Sequence, residues 1–280
     1  MKFAYFGYDF FSNVLDALLD DGHELVELFT PIMGGAYNTN RDVCFTAARR
    51  GARITLSKVR AEDFERLKRS EVGLIVAAAY PGRVPEWRGS VKYAVNVHPS
   101  LLPADRGPWP MPSAILRGEK RTGVTIHEIS DRFDKGDIIA RTEVAIAPRD
   151  NLTTLSVRLQ LEAAKLIGPT IRDIETLWAD KRPQSGGHYS GMPTDEDRTI
   201  RFDMSVEEID RIYRAFHRFE PYVDLDGVRY VVGGLDAWRE RHDLTVGTCV
   251  RRAPRESTYA VTDGFVCLYA LARAEVVEAG

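Results

Sequence analysis

Residues 67–80, "LKRSEVGLIVAAAY", decide how this chain is built. From Val72 to Ala79 the run is almost continuously apolar. A strand with one wet face alternates polar and apolar side chains, whereas a strand covered on both faces does not. This run therefore reads as a strand buried between two layers. Working outward, residues 2–7 read as a strand, followed by an amphipathic helix from about Ser12 to Asp20 with Val14, Leu15, Leu18 and Leu19 on one face. "HELVELFT" (23–30) is a second strand, and "DVCFTAARRG" (42–51) is a helix stopped by Gly51. "VKYAVNV" (91–97) is another unalternating strand. Strands alternating with helices predict an α/β domain with a mostly parallel, Rossmann-like sheet. The first glycine turn, "FGYDFF", is not G-x-G-x-x-G, so a dinucleotide fingerprint is absent.

Further along, "TGVTIHEIS" (122–130) and "DIIARTEVAI" (137–146) read as strands. Asp150 or Asn151 caps a long helix that Gly168–Pro169 is expected to kink or restart. From Lys181 the texture turns to Gly, Ser, Pro and Asp. The expected organisation is a catalytic domain over 1–182, a linker over 183–200 and a β-rich, barrel-like domain over 201–280. That last part opens with one helix, where Ser205 and Glu208 form a capping-box pattern. Asp-Gly turns separate its short strands.

The 280 residues are 44% apolar and 28% charged, with a net charge of −3, which fits a globular domain and offers no global basic field for nucleic acid. Cys44, Cys249 and Cys267 have neither disulfide-framework nor zinc-ligand spacing, and no metal site is expected. The apolar stretch in "MKFAYFGYDFF" is too short to span a bilayer and lacks a small-residue cleavage site. A cytoplasmic enzyme without a membrane partner is the expectation.

Chemistry concentrates at "AVNVHPSLLPADRGPWP" (94–110). Asn96 and His98 are two apart at a strand end, hence on one face, where ligands of open α/β sheets bind. An amide donates to a developing oxyanion, and an imidazole moves a proton. The pair lacks a carboxylate to orient the ring, and "RFDKGDIIA" (132–140) supplies Asp134 and Asp137 around Gly136. Taken alone, residues 96–99 also suit a strand end with satisfied turn hydrogen bonds, and Asp137 suits a capping role. His127 reads as lining the site or, the favoured reading, as a partly exposed strand histidine, and His217 and Arg218 read as a solvated helix face. Trp109 and Met111 fit cleft or core equally, and Arg106 fits either an anionic acceptor or a surface ion pair.

"NVHPSLLPADRG", "TGVTIHEI" and "FDKGDII", in this order and spacing, resemble the signature of the tetrahydrofolate-dependent formyltransferases. That superfamily includes enzymes acting on glycinamide ribonucleotide, on methionyl-tRNA and on nucleotide-linked amino sugars. The resemblance covers about residues 1–180, and "IRFDMSVEEIDRIYRAF" and "VGTCV" extend it into the second domain of the latter two types. It implies N10-formyltetrahydrofolate as co-substrate and Asn96, His98 and Asp134 as the catalytic residues. It further implies Tyr80, Pro81, Gly82, Arg83, Val84, Ile129, Ser130 and Asp137 around the pterin. Ser100, Arg106 and Gly107 are the implied acceptor-side residues.

The acceptor is narrowed by charge. Residues 31–43 hold one basic residue, where a methionyl-tRNA enzyme of this type is expected to carry a basic insertion. Residues 198–255 hold 11 Arg and no Lys against 10 acidic residues, poor equipment for a phosphate backbone. A small-molecule amine is therefore expected, with a nucleotide-linked amino sugar leading. Methionyl-tRNA, a hydroxyornithine of siderophore synthesis and a carrier-bound aminoacyl group are the alternatives. A formyltetrahydrofolate hydrolase and a non-catalytic folate-binding module are the readings from other classes. The second domain suits nucleotide binding, a homodimer contact or simple bracing.

Overall fold

The apolar run at 72–79 forms the strand Leu74–Ala78, every residue of which is buried. The computed structural model describes residues 1–32 and 39–274. Residues 33–38, within the stretch where a methionyl-tRNA enzyme is expected to carry a basic insertion, and 275–280, the end of the expected second domain, lie outside the described residues.

In chain order the first elements are β1 (Lys2–Gly7), α1 (Ser12–Asp20), β2 (Glu24–Phe29), α2 (Arg41–Arg49), β3 (Arg53–Thr55), α3 (Ala61–Arg69), β4 (Leu74–Ala78) and β5 (Tyr93–His98). There follow α4 (Pro110–Leu116), β6 (Arg121–Glu128), β7 (Ile138–Ala145), α5 (Leu152–Arg172) and α6 (Ile174–Ala179). The first sheet runs β3-β2-β1-β4-β5-β6-β7. Its first five strands are parallel, while β6 and β7 are antiparallel to their neighbours. Strand order reverses at β1, the topological switch that opens a crevice at the carboxyl ends of parallel strands.

Two elements escape the periodicity reading. β3 has three residues and no buried one. α3 carries only Phe64 and Leu67 as buried apolar residues, and its third inward residue is charged. That residue, Asp63, binds Arg66, which also makes a two-pronged bond to Glu27, a buried carboxylate inside β2. The expected break at Gly168–Pro169 falls elsewhere. α5 runs through Pro169 and ends at Arg172, before α6 starts at Ile174. One lost backbone hydrogen bond is tolerated in the last turn, and the Thr170 hydroxyl donates to the Leu166 carbonyl there.

The later elements are β8 (Thr199–Ile200), α7 (Val206–Phe216), β9 (Tyr222–Leu225), β10 (Val228–Arg239), β11 (Cys249–Ala253), β12 (Glu256–Val261) and β13 (Gly264–Arg273). They form a second sheet in the order β11-β12-β13-β10-β9-β8. The capping box is present: Ser205 N–H donates to Glu208 at 2.8 Å, and Glu208 N–H donates back to Ser205 Oγ at 3.3 Å. Asp226–Gly227 turns β9 into β10, with φ of 51° and 78°.

The chain divides into two compact units. One comprises Met1–Pro110, Arg121–Ala145 and Ser156–Ser190; the other comprises Met111–Lys120, Ile146–Leu155 and the chain from Gly191 onward. Residues 183–190 of the expected linker thus belong to the first unit, for reasons given by the site.

Candidate active site

β5 ends where the sheet changes direction, and its last residues carry Asn96 and His98 on one face. Asp134 sits in the loop between β6 and β7 with φ of 53°, a left-handed conformation that an L-residue holds only when its surroundings demand it. Two sets of bonds hold it. Gly107 N–H donates to Asp134 Oδ2 at 2.8 Å, and the Gln184 amide donates to the carbonyls of Asp134 (2.9 Å) and Gly136 (2.7 Å). Gly107 itself needs to be glycine: its φ is 110°, and a Cβ there would lie 2.3 Å from the Ser190 carbonyl oxygen.

The three residues singled out for chemistry converge. His98 Nδ1 lies 3.5 Å from Asp134 Oδ1, and Asn96 Nδ2 lies 3.4 Å from the same oxygen. His98 is 5% exposed. Its Nε2 is 2.8 Å from the Asp105 carbonyl, which can only accept, so Nε2 carries the hydrogen and Nδ1 presents its lone pair to Asp134. Burial pushes His98 below the ordinary histidine range, against the opposing pull of Asp134. Burial also pushes Asp134 up, but His98, His127 and the Gly107 N–H outweigh it and hold the carboxyl at about 2. Near pH 7 the pair is an ionised carboxylate beside a neutral imidazole, with an empty proton position between them.

His127 takes the less favoured of its two expected places, in the site rather than on a partly exposed strand face. It is buried, with Nδ1 2.8 Å from the Glu128 carbonyl and Nε2 3.0 Å from Asn96 Nδ2. The carbonyl requires a hydrogen on Nδ1, so Nε2 accepts from Asn96 and fixes which way the amide faces. The signal that finds His127 is strand register: Asn96 and His127 are directly opposed across the antiparallel β5–β6 pair.

Other expected site residues are placed as follows. Tyr80 packs on Phe6, and its hydroxyl accepts from Val59 N–H, so it props the β4 loop from beneath. Gly82 lies against the Tyr80 ring, Val84 packs on the core, and Pro81 is exposed. Arg83 stacks over Phe133 at 5.6 Å, and Trp87 Nε1 donates to the Ile129 carbonyl, so the two flanking loops meet. Ser130 and Asp137 line a cleft of about 480 Å³ with Arg132, Lys135, Gly136 and Arg88. Neither Asn96, His98 nor Asp134 lines that cleft, so it neighbours the cluster rather than containing it. Ser100 donates to the Ala104 carbonyl and so ties its own loop. Arg106 is 3% exposed and donates through Nε to Gln184, so it is no surface ion pair.

The shift at Asp134 carries a stability consequence. Its folded value of about 2 lies below the free value of 3.8, so its contribution is complete above about pH 4 and is lost as pH falls through about 2. That contribution is roughly 2 kcal/mol. Denaturant titrations of wild type and Asp134→Asn are expected to converge over this window; a constant gap down to pH 2 contradicts the lowered carboxyl.

Fold and site together define an α/β enzyme of the Rossmann-like class, with a polar cluster at the sheet's carboxyl edge and a second, separate β-sheet. The family described as formyl transferase matches residues 1–171. The methionyl-tRNA formyltransferase of Lactobacillus acidophilus is 30% identical over 259 residues, covering 88% of this chain and 82% of the relative. The chain belongs to the formyltransferase family, whose members are enzymes that transfer a formyl group from N10-formyltetrahydrofolate. Solved structures agree on the fold. The N-formyltransferase of Helicobacter canadensis, in complex with folinic acid and dTDP-3-aminofucose, matches with a TM-score of 0.70 at 16% identity, over 97% of this chain and 99% of its own. HypX of Aquifex aeolicus in complex with tetrahydrofolic acid matches with a TM-score of 0.67 at 16% identity over 98% of this chain, which spans 44% of HypX. Among the described residues no helix is long and apolar enough to cross a membrane.

Proposed function

We propose that the chain moves the formyl group of N10-formyltetrahydrofolate onto the primary amine of a nucleotide-linked amino sugar, with Asn96, His98 and Asp134 as catalytic residues. The convergence of these three side chains at one strand end is the observation that carries the chemistry. The surroundings fit the donor: two loops that meet through Arg83 and Phe133 flank the cluster, and Phe133 keeps 48% of its surface exposed for a flat ring. In this reading Pro81, Gly82, Arg83, Val84, Ile129, Ser130 and Asp137 hold the donor, while Tyr80 supports their loop. The donor supplies a formyl group on a weakly basic aryl amine, so no acyl-enzyme is required.

The protein's part is to bind charge and move a proton. Asn96 has one good hydrogen bond, to His127, and one long contact, to Asp134. The second N–H is the one to offer the formyl oxygen as negative charge grows there. His98 Nδ1 takes the proton of the attacking amine, and the Asp134 carboxylate stabilises the resulting imidazolium; that proton then passes to N10 as the C–N10 bond breaks, releasing the formylated amine and tetrahydrofolate. Ser100, Arg106 and Gly107 form the acceptor-side loop, and the unit of Met1–Pro110, Arg121–Ala145 and Ser156–Ser190 is the catalytic domain.

A small acceptor is supported by how the arginines of the second unit are used. Of the 11 arginines in residues 198–255, eight lie within 4 Å of a carboxylate: Arg198, Arg201, Arg211, Arg214, Arg229, Arg239, Arg251 and Arg252. Charges already neutralised add little to phosphate-backbone affinity. The second reading, methionyl-tRNA as acceptor, rests on sequence relatives such as the Bacillus velezensis enzyme, 32% identical over 254 residues. Release of tetrahydrofolate is to be followed with no amine, with dTDP- and UDP-linked amino sugars, with N-hydroxyornithine and with methionyl-tRNA. Amine-dependent release, fastest with a nucleotide-linked amino sugar, is expected. Fastest turnover of methionyl-tRNA overturns the small-acceptor reading; release without amine indicates a hydrolase, and no release in any arm a binding module.

A further inference from the structure

The segment after α6 crosses the carboxyl edge of the first sheet and is bonded there at three points. At one end Arg182 pairs with Ile138, the first residue of β7, through hydrogen bonds of 2.8 and 2.9 Å. At the other end residues 188–190 pair with Arg106: Arg106 N–H donates to the His188 carbonyl (3.1 Å) and Ser190 N–H to the Arg106 carbonyl (2.6 Å). Between them Gln184 spends its whole side chain on the site. Its Nε2 donates to the carbonyls of Asp134 and Gly136, and its Oε1 accepts from Arg106 Nε at 2.9 Å.

The Asp134 and His98 arms of the candidate site are therefore both tied to this one segment. The Asp134 arm is held through its own carbonyl. The His98 arm is held through Asp105, whose carbonyl accepts from His98 and whose carboxylate accepts from Ser190 Oγ (2.7 Å) and pairs with His188 (3.0 Å). The approach is close enough to need glycine: at Gly187, with φ of 78°, a Cβ would lie 1.9 Å from the Pro103 carbonyl oxygen. Among the bonds of the described residues, none from the segment reaches Asn96, or the facing atoms His98 Nδ1 and Asp134 Oδ1. Its action is on their separation.

We infer that residues 182–190 are a clamp that sets the distance between His98 and Asp134, with Gln184 as its positioning residue. The inference rests on the formyl-transfer reading only for its kinetic consequence. Asp134 holds a left-handed backbone conformation, costing about 1 kcal/mol or more, and residues 131–133 beside it are exposed. Without the two bonds from Gln184 the loop relaxes toward an ordinary conformation and carries the carboxylate off. Stabilising a proton on His98 Nδ1 through the Asp134 carboxylate tolerates little such drift, because general acid–base work requires hydrogen-bond reach.

The test is Gln184→Leu, which keeps the bulk and removes every hydrogen bond of the amide. Two measurements are made. In the free protein, amide hydrogen exchange of residues 132–137 is expected to quicken at least about 10-fold while that of β1 and β4 is unchanged. In steady-state assays kcat is expected to fall about 10- to 100-fold, with KM for both substrates within about two-fold, since the loss lies in the reacting geometry rather than in binding. Wild-type exchange in 132–137, or a wild-type kcat with only a lowered Tm, overturns the clamp. Should the leucine variant not fold, Gln184→Asn is used; its shorter amide cannot span both carbonyls and Arg106, and the same readouts apply. If wild type transfers no formyl group to any amine, the functional reading fails while the exchange experiment still decides the clamp.

Discussion

Replacing Asp134 with Asn is expected to lower kcat for formyl transfer about 1,000-fold while leaving the fold in place. The fold survives because the asparagine carbonyl can still accept the Gly107 N–H, and Asn is among the residues that adopt φ of 53° most readily. The chemistry fails for two reasons. A neutral amide no longer stabilises an imidazolium at His98. Its NH₂ group also has a ready acceptor in His98 Nδ1, 3.5 Å away in the wild type, and bonding there occupies the nitrogen that must take the amine proton. The sign of the accompanying shift follows. Asp134 is the main influence raising His98 against burial, so without it His98 protonates at still lower pH. Histidine ¹⁵N resonances followed from pH 8 to 4 measure that directly. A variant within 10-fold of wild type, or a His98 midpoint that rises, sinks the proposed role.

Asn96→Ala is expected to cost about 10²–10³ in kcat, the scale for losing one donor to a developing oxyanion. It also strands His127 Nε2, which is buried and has Asn96 as its hydrogen-bond donor, at a stability cost of roughly 1–3 kcal/mol. The two consequences are separable by measuring Tm alongside the kinetics at a temperature where both proteins are folded. Turnover unchanged per folded molecule would count against any electrostatic role for this amide.

Particular residues show what could be read in advance. The run Val72–Ala79 announces a strand covered on both faces because nothing polar interrupts it, and β4 is fully buried. Ser205 and Glu208 are three apart, within one turn, so their mutual capping is legible without knowing any neighbour. Asp226–Gly227 likewise suits the positive φ of its turn. α3 and Glu27 defeat the same approach. A buried carboxylate in a strand is stable only because Arg66, 39 positions away in sequence, reaches it.

The same division runs through the candidate site. The order of residues alone determined that Asn96 and His98 share a face at a strand end, since side chains alternate along any strand. It also set Asp134 in a tight loop before the next strand. Tertiary structure decided the rest. The antiparallel register of β5 and β6 brings His127 onto Asn96, and a one-residue slip would turn it to the other face. The path of residues 182–190 across the sheet edge makes a Gly- and Pro-rich stretch part of the site, because its bonds go to Asp134, Gly136 and Arg106, residues far off in sequence. Local spacing predicts which side chains a strand end presents; only the folded chain settles what holds them at working distance.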